Sequence, residues 1–224
     1  MKKTAKLLVL PGDGIGAEVM SQGLRVLAAA AEVFEFDVEI EMDLIHGQAW
    51  EKYGTVCRDK TVLTAKDSDG VLVGAVGEIE DKHAPNSSNP EENDGLMRLR
   101  KELDVFAGLR PAVSSPYLSD QLPYRDEISR GVDIIVLREM CGGVMFAEPR
   151  GIELLSETQS RGYDTSSYST FEIERLARVA FLLAGRREKR IVSVDKANVM
   201  QSGVLWRKVV QSVSYDFPDI DLIH

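Results

Sequence analysis

Short apolar runs alternate along this sequence with stretches of helical periodicity, and that alternation constrains the fold more than any other feature. Residues 6–10 (KLLVL) and 70–76 (GVLVGAV) are continuous apolar runs, which predict strands buried on both faces of a sheet. Between them, the spacing predicts a helix from Ile15, a strand over residues 36–40 and a helix over residues 58–66. Strands that alternate with helices predict an α/β fold with parallel strands joined by crossover helices.

The second half of the sequence continues this pattern after a polar interruption. Residues 78–94 contain almost no apolar side chains, and a loop of this length is typical of a binding loop or a lid. Residues 172–183 carry apolar side chains at helical spacing, which predicts an amphipathic helix. Ser169 or Thr170, just before this stretch, is the predicted N-cap. The spacing also predicts a helical face through Leu96, Leu99 and Leu103, a buried strand over residues 133–137, a hairpin-like element at 151–155, a strand over 190–194 and a helix over 204–213.

The composition excludes several classes of protein. The 224 residues include 27 Lys+Arg and 36 Asp+Glu, for a net charge of −9, which argues against a nucleic-acid partner. No apolar run approaches the roughly 18 to 20 residues that span a bilayer, and the N-terminus lacks signal-peptide features, so we expect a cytoplasmic protein without membrane contact. Cys57 and Cys141 have no metal-ligand spacing and are expected to be free thiols.

A glycine-rich turn lies between the first predicted strand and the first predicted helix. Residues 11–16 (PGDGIG) allow a tight turn, and backbone amides in such a position can face an anion. The spacing differs from the G-x-G-x-x-G pattern of dinucleotide-binding folds. Two interpretations remain open, a phosphate contact and a purely structural turn.

Four basic residues are candidates for chemistry. Arg138 directly follows an apolar strand, at the sheet end where α/β proteins bind ligands, and a guanidinium can bind a carboxylate through two hydrogen bonds. Arg100 and Arg110 offer the same group. Lys196 follows another predicted strand and can act as a general base. Surface ion pairs are the alternative for the arginines, and a solvated or ion-paired amine is the alternative for Lys196.

Four groups of motifs occur in a fixed order along the chain. They are LPGDGIG (residues 10–16), LRK with LRP (99–101 and 109–111), LRE with GG and EPRG (137–139, 142–143 and 148–151), and DKAN (195–198). In this order they resemble the isopropylmalate and isocitrate dehydrogenase family over essentially the whole chain. The resemblance implies a homodimer with a two-domain α/β fold. The first domain, on the cofactor side, would cover residues 1–100, and the second, with substrate and dimer contacts, residues 101–224.

The resemblance also implies a decarboxylating dehydrogenase that acts on a small 2-hydroxy dicarboxylate. NAD would accept a hydride from the carbon that bears the hydroxyl group, and Mg²⁺ or Mn²⁺ would assist the loss of the β-carboxylate. Lys196, from the partner subunit, would be the base or proton relay. Residues 78–93 would close over substrate and cofactor. The malate carboxylates would be held by Arg100, Arg110 and Arg138, and the cofactor would be contacted by Asn198, Asn93 and Ile15.

Apolar side chains near the implied site favour an alkyl substituent on the substrate. In the family, the helix turn before the first arginine meets the C3 substituent of the malate, and here that turn carries Leu96 and Met97, with Val199 extending the wall. A third carboxylate, as in isocitrate, would lie unpaired against these side chains at a large cost. We therefore expect a branched alkyl malate such as 3-isopropylmalate, an intermediate of leucine biosynthesis, and tartrate and D-malate remain alternatives.

Two features depart from the family pattern. Met145 stands where many relatives carry a tyrosine that protonates the enol left by decarboxylation, and a thioether has no proton to donate. The sequence ends at His224, before the region in which relatives carry metal-binding aspartates and the adenosine-binding loop, so we expect no metal ligand within this chain, weak NAD binding and poor turnover. A non-catalytic homologue that acts by dimerisation through helices 172–183 and 204–213 is the remaining alternative.

Overall fold

The computed structural model describes residues 4–77, 87, 89–115, 117 and 123–224, and the chain divides into two units that are described separately. The first unit, Met1–Asp104, contains β1 (Thr4–Gly12), α1 (Gly16–Val33), β2 (Asp37–Met42), α2 (Gly47–Tyr53), α3 (Asp59–Asp67), β3 (Gly70–Ala75), α4 (Pro90–Asn93) and α5 (Gly95–Glu102). The second unit, Val105–His224, contains β4 (Ala107–Val113), α6 (Asp126–Ser129), β5 (Asp133–Glu139), a 3-10 turn (Gly143–Met145), β6 (Gly151–Leu154), β7 (Ser160–Tyr163), α7 (Thr170–Ala184), β8 (Arg190–Val192), α8 (Gln201–Ser214) and β9 (Asp221–Ile223).

The first unit contains a parallel sheet in the order β2-β1-β3, which confirms the α/β prediction for this part of the chain. Leu7 of β1 pairs with Ile40 of β2 on one side and with Gly70 of β3 on the other. The predicted burial of β1 is confirmed, since Leu8 and Leu10 have no exposed surface. β3 is only half-buried, because it is an edge strand of the sheet that the described residues form.

The core of the first unit joins the sheet to the helices that flank it. Leu99 of α5 is buried in this core and Leu103 packs against it, as the predicted helical face requires. Cys57 is a free thiol in the same core. Burial raises the pKa of this thiol to about 11, so the group stays protonated at neutral pH and packs as a small apolar side chain.

The second unit combines two-stranded sheets with a pair of packed helices. β4 pairs with β5 and β6 with β7, both antiparallel, whereas β8 and β9 are parallel. Ser169 caps α7, as predicted: its hydroxyl accepts from the Glu172 N–H, and the Glu172 carboxylate accepts from the Ser169 N–H at 2.6 Å. The buried core between α7 and α8 contains Ile173, Ala177, Phe181, Val209, Val210 and Val213.

Residues 133–137 form the predicted strand, but the prediction that this strand is buried was wrong. Ile134 and Val136 of β5 are 54% and 51% exposed. Among the described residues β5 pairs only with β4, and antiparallel pairs of this kind commonly leave one face in solvent. The apolar run therefore predicted the strand correctly but did not show how many of its faces are covered.

An ionic cluster around Asp43 ties the segment after β2 to α3. Arg58 Nη2 lies 2.5 Å and Thr61 Oγ1 lies 2.6 Å from the largely buried Asp43 carboxylate. Burial alone would raise the pKa of the Asp43 carboxyl, but hydrogen bonds from Thr61, the Leu44 N–H and Arg58 hold that pKa below its ordinary value. The ionised carboxylate therefore stabilises the folded state above the pKa of the unfolded carboxyl, which is about 4. This stabilisation is lost as the pH falls through the lower pKa of the folded state.

Asp43→Asn is expected to lower the free energy of unfolding by about 1 to 3 kcal/mol at pH 7, because an amide cannot replace the charge-assisted hydrogen bonds. The difference from the wild type should shrink below pH values of about 4, where the wild-type carboxylate also becomes protonated. Urea denaturation at neutral and acid pH measures both effects. Asp67→Asn is the control, since Asp67 is exposed and its ion pair with Lys6, at 3.3 Å, should contribute less than about 1 kcal/mol. Equal losses in the two variants would contradict the prediction.

Candidate active site

The glycine-rich turn between β1 and α1 lies directly against β3. Gly12 has a φ of 78°, and a Cβ atom built on it would lie 1.8 Å from the carbonyl oxygen of Ala75. A Cβ atom on Gly16 would lie 2.1 Å from the carbonyl oxygen of Pro11. The two glycines are thus required by close backbone packing, which favours the structural interpretation of this turn over a phosphate contact.

Asp13, within the same turn, joins the segments that follow β2 and β3, the two strands that flank β1. His46 Nδ1 lies 2.8 Å from Asp13 Oδ2, and the backbone N–H groups of Gln48 and Gly77 donate to the carboxylate at 3.0 and 3.1 Å. His46 is buried and adopts a φ of 59°, a conformation that costs a non-glycine residue about 1 to 3 kcal/mol. A carboxylate at this position repels an anion, which also favours the structural interpretation.

The predicted substrate residues of the first unit lie on α5. The Asp94 carboxylate caps this helix by accepting from the N–H groups of Leu96 and Met97 at 2.7 and 3.2 Å. Leu96 and Arg100, four positions apart, share one face of the helix and are both half-buried. Met97 is buried, and its sulfur lies 3.5 Å from Arg100 Nη1. Of the two predicted wall residues on α5, Leu96 is therefore the more accessible.

The predicted cofactor residues of the first unit differ in their availability. Ile15 is exposed at the start of α1. Asn93 ends α4 and exchanges two hydrogen bonds with the backbone of Ser87, at 2.6 and 2.8 Å, so its amide already closes this segment. Most of the predicted lid, residues 78–86 and 88, lies outside the described residues.

The register of the β4–β5 pair brings two of the predicted arginines together. Arg110 is opposite Val136 and Arg138 is opposite Gly108. Residues directly opposite each other share a face, as do residues two apart on one strand, so Arg110 and Arg138 are diagonal neighbours on the same face, about 7 to 8 Å apart. Both side chains are exposed. Two like charges on one face repel each other, and an anion with two carboxylates would relieve that repulsion.

A buried carboxylate fixes the turn that follows β5. Glu139 accepts hydrogen bonds from the N–H groups of Cys141 and Gly142, the latter at 2.5 Å, and lies 3.7 Å from Arg175 Nη2. The 3-10 turn that follows places the sulfur of Met145 2.6 Å from Arg138 Nη2. The residue that departs from the family pattern thus lies beside one of the predicted substrate arginines.

Tyr168 packs against the same turn. A Cβ atom built on Gly143 would lie 2.2 Å from the Tyr168 hydroxyl oxygen, so only glycine fits at this position. Burial raises the pKa of Tyr168, and the nearby Glu139 carboxylate raises it further. The hydroxyl is therefore protonated at neutral pH.

The predicted lysine lies on a short segment between β8 and α8. Lys196, Asn198 and Val199 are all exposed there. Sequence reasoning did not single out Asp195, whose side chain is buried and forms a bidentate ion pair with Arg207 of α8. The available signal was its position next to the lysine, directly after the strand predicted over residues 190–194, although the structure ends that strand at Val192.

Two negative findings apply to the part of the chain that the structure describes. No three His, Cys, Asp or Glu side chains in this part lie close enough together to hold a metal ion. No helix in it is both long and apolar enough to cross a membrane.

Solved structures of α/β dehydrogenases share this fold, which confirms the predicted fold class. An isocitrate dehydrogenase from Methylococcus capsulatus matches 98% of this chain with a TM-score of 0.76 and 22% identity, over 59% of its own length. A beta-decarboxylating dehydrogenase from Thermococcus kodakarensis, in its apo form, matches 98% of the chain with a TM-score of 0.69 and 26% identity, over 57% of its length.

Sequence comparison gives the family. A family model described as isocitrate/isopropylmalate dehydrogenase matches residues 6–224. The 3-isopropylmalate dehydrogenase of Saccharophagus degradans is 42% identical over 219 residues, and that of Rhodospirillum rubrum is 45% identical over 225. The chain belongs to the isocitrate/isopropylmalate dehydrogenase family, as its motifs predicted. The matches cover 98% and 100% of this chain but 61% and 60% of those relatives, so the chain spans about 60% of their length.

Proposed function

We propose that this chain takes part in the NAD-dependent oxidative decarboxylation of 3-isopropylmalate, a step of leucine biosynthesis in the cytoplasm. The observation that carries the proposal is the placement of Arg110 and Arg138 on one face of the β4–β5 pair, where two guanidinium groups suit a dicarboxylate. The relatives named 3-isopropylmalate dehydrogenase support the choice of reaction and substrate.

The chain's own residues would bind the substrate and move a proton. Arg110 and Arg138, with Arg100, would hold the carboxylates. Lys196 would accept the proton of the C2 hydroxyl group as the hydride leaves that carbon. The β-carboxylate would then leave as CO2, and the resulting enol would take up a proton. The C3 alkyl group would pack against Leu96, Met97 and Val199.

NAD, when bound, accepts the hydride. Exposed Ile15 offers an apolar contact and exposed Asn198 a hydrogen-bonding amide for such a cofactor, whereas the Asn93 amide would have to leave Ser87 to bind it. The family's Mg²⁺ or Mn²⁺ has no matching ligand cluster among the described residues, so we assign it no step in this chain.

Comparison of substrates tests the proposal. The catalytic efficiency (kcat/KM) of the native gene product with NAD and Mg²⁺ should be highest for 3-isopropylmalate and lower for isocitrate, D-malate and tartrate, because Leu96 and Val199 cannot pair a further polar group. A preference for D-malate or tartrate would contradict the proposed substrate but not the proposed class of reaction.

Met145→Tyr is expected to raise the rate at which the enol left by decarboxylation is protonated by at least about tenfold, because a positioned proton donor contributes about 10² to 10⁴-fold and the thioether supplies no proton. Formation of the final keto acid measures this step, because CO2 leaves before the enol takes up its proton. Met145→Phe is the matched control, since it adds the ring without the hydroxyl group. An unchanged rate in Met145→Tyr would contradict the proton-donor explanation.

We also propose that the protein is a homodimer. The β6–β7 hairpin supports this, because Ile152 and Leu154 are strongly exposed and an isolated two-stranded hairpin is marginally stable in water. The alternative surfaces, the apolar faces of α7 and α8, already bury each other within the second unit. Size-exclusion chromatography with light scattering should give twice the subunit mass, and a monomer at micromolar concentration would contradict a shared site.

A further inference from the structure

The backbone around Lys196 is held by an ion pair between a buried carboxylate and a half-exposed guanidinium, which the sequence motif does not reveal. The Asp195 side chain is 2% exposed, and its two carboxylate oxygens accept from Nε and Nη2 of Arg207 at 3.0 and 3.1 Å. The same carboxylate accepts from the Ala197 N–H at 2.9 Å. Hydrogen bonding to Arg207, with the Ala197 N–H, keeps the pKa of Asp195 below its ordinary value, so the carboxylate is charged at neutral pH.

The first turn of α8 holds the other side of the same backbone. A Cβ atom built on Gly203 would lie 2.8 Å from the Ala197 nitrogen and 2.8 Å from the Lys196 carbonyl carbon, so the helix approaches this segment as closely as glycine allows. The Lys196 carbonyl oxygen also accepts from the N–H groups of Val199 and Met200 at 3.2 and 3.0 Å. The lysine thus projects from a backbone that is fixed on both sides.

Arg207 also separates the charges of two adjacent residues. Lys196 is exposed, and among the described residues its ammonium forms no ion pair, although it follows a carboxylate in the sequence. Both oxygens of that carboxylate accept hydrogen bonds from Arg207, and His224 also lies beside them, with its Nδ1 3.9 Å from Asp195 Oδ2. A bidentate guanidinium therefore keeps Asp195 from pairing with the lysine.

We propose that Asp195 and Arg207 are positioning residues for Lys196: together they fix its backbone against Gly203 and keep its amine free for proton transfer. The inference rests on the proposed function, because that function gives Lys196 its role. The fixed backbone is tested by amide hydrogen exchange, which does not depend on activity. The free amine is tested by the pH dependence of kcat, which does.

Amide hydrogen exchange tests the fixed backbone in the native gene product. Arg207→Gln should speed exchange in residues 195–200 by about tenfold or more, because the Asp195 carboxylate that accepts from the Ala197 N–H is then no longer held by Arg207. Lys208→Gln is the matched control, since Lys208 is the exposed next residue on α8. In this variant, exchange in residues 195–200 should equal that of the wild type. Exchange in residues 195–200 that is equal in both variants overturns the proposal, whatever the activity.

The pH profile of kcat tests the free amine. In Arg207→Gln the released Asp195 carboxylate can pair with Lys196 and stabilise its protonated form. The limb of the profile that requires the free amine should therefore move to higher pH by about one unit, while KM changes little. Asp195→Asn should also speed exchange but should not move this limb upward, because it leaves no carboxylate to pair. A shift of equal size in both variants overturns the charge-separating role, whereas absence of turnover in the wild type refutes the proposed function and leaves the exchange result standing.

Discussion

Replacing Phe181 by alanine is expected to lower the free energy of unfolding of the second unit by about 3 to 5 kcal/mol, the usual cost of removing a large aromatic side chain from a core. Phe181 has no exposed surface and stacks on Phe217, with ring centroids 5.1 Å apart and an angle of 14° between the rings. The loss combines the transfer of a buried ring to water with a cavity between α7 and α8 that the surrounding side chains cannot fill. Chemical denaturation followed by circular dichroism measures it.

Leu182→Ala provides the matched control for Phe181→Ala. Leu182 is the next residue of the same helix but is 61% exposed, and alanine has the higher helix propensity, so its replacement should change stability by less than about 1 kcal/mol. Similar losses of unfolding free energy in the two variants would show that the buried side chains between α7 and α8 do not form the core of the second unit.

Lys196→Met is expected to lower kcat for 3-isopropylmalate by about 10² to 10⁴-fold, which is the usual contribution of a positioned acid or base. Methionine keeps the length and the apolar stem of the side chain and removes only the amine. Since Lys196 is exposed, stability should change little, and a thermal unfolding curve that overlays the wild type would confirm that the loss is chemical.

Lys208→Met is the control for charge and composition. Lys208 is exposed on α8 and forms no described contact with the predicted site, so its replacement should leave kcat within about twofold of the wild type. If Lys196→Met retained wild-type turnover, Lys196 would not be the base or the proton relay.

Elements with a strong local pattern could be predicted from the sequence, and elements that depend on distant partners could not. β1 and α7 carry patterns that persist over whole elements, and the capping box at Ser169 marks the start of α7. β4 was missed because Arg110 and Pro111 interrupt its apolar pattern, and a proline argues against a strand. The burial of β5 was misjudged because a run of apolar residues does not reveal how many of its faces are covered.

The same distinction applies to the candidate site. The motifs identified Arg138 and Lys196, because both follow apolar runs that predict strands. In the structure Arg138 lies within β5, and Lys196 lies four residues after the end of β8. The residues that hold them in place came only from the structure: Arg207 is twelve positions beyond Asp195 on another element, and Arg175 reaches Glu139 from α7. Such pairs form when helices pack back against strand ends, which no local pattern encodes.

Oxidative decarboxylation is tested most directly by incubating the native gene product with 3-isopropylmalate, NAD and Mg²⁺ and measuring NADH and CO2 in the same reaction. We expect both products in equal amounts, formed at a rate that Lys196→Met strongly lowers. Formation of neither product by a protein that is folded by circular dichroism would contradict the proposed function and favour a non-catalytic member of the family.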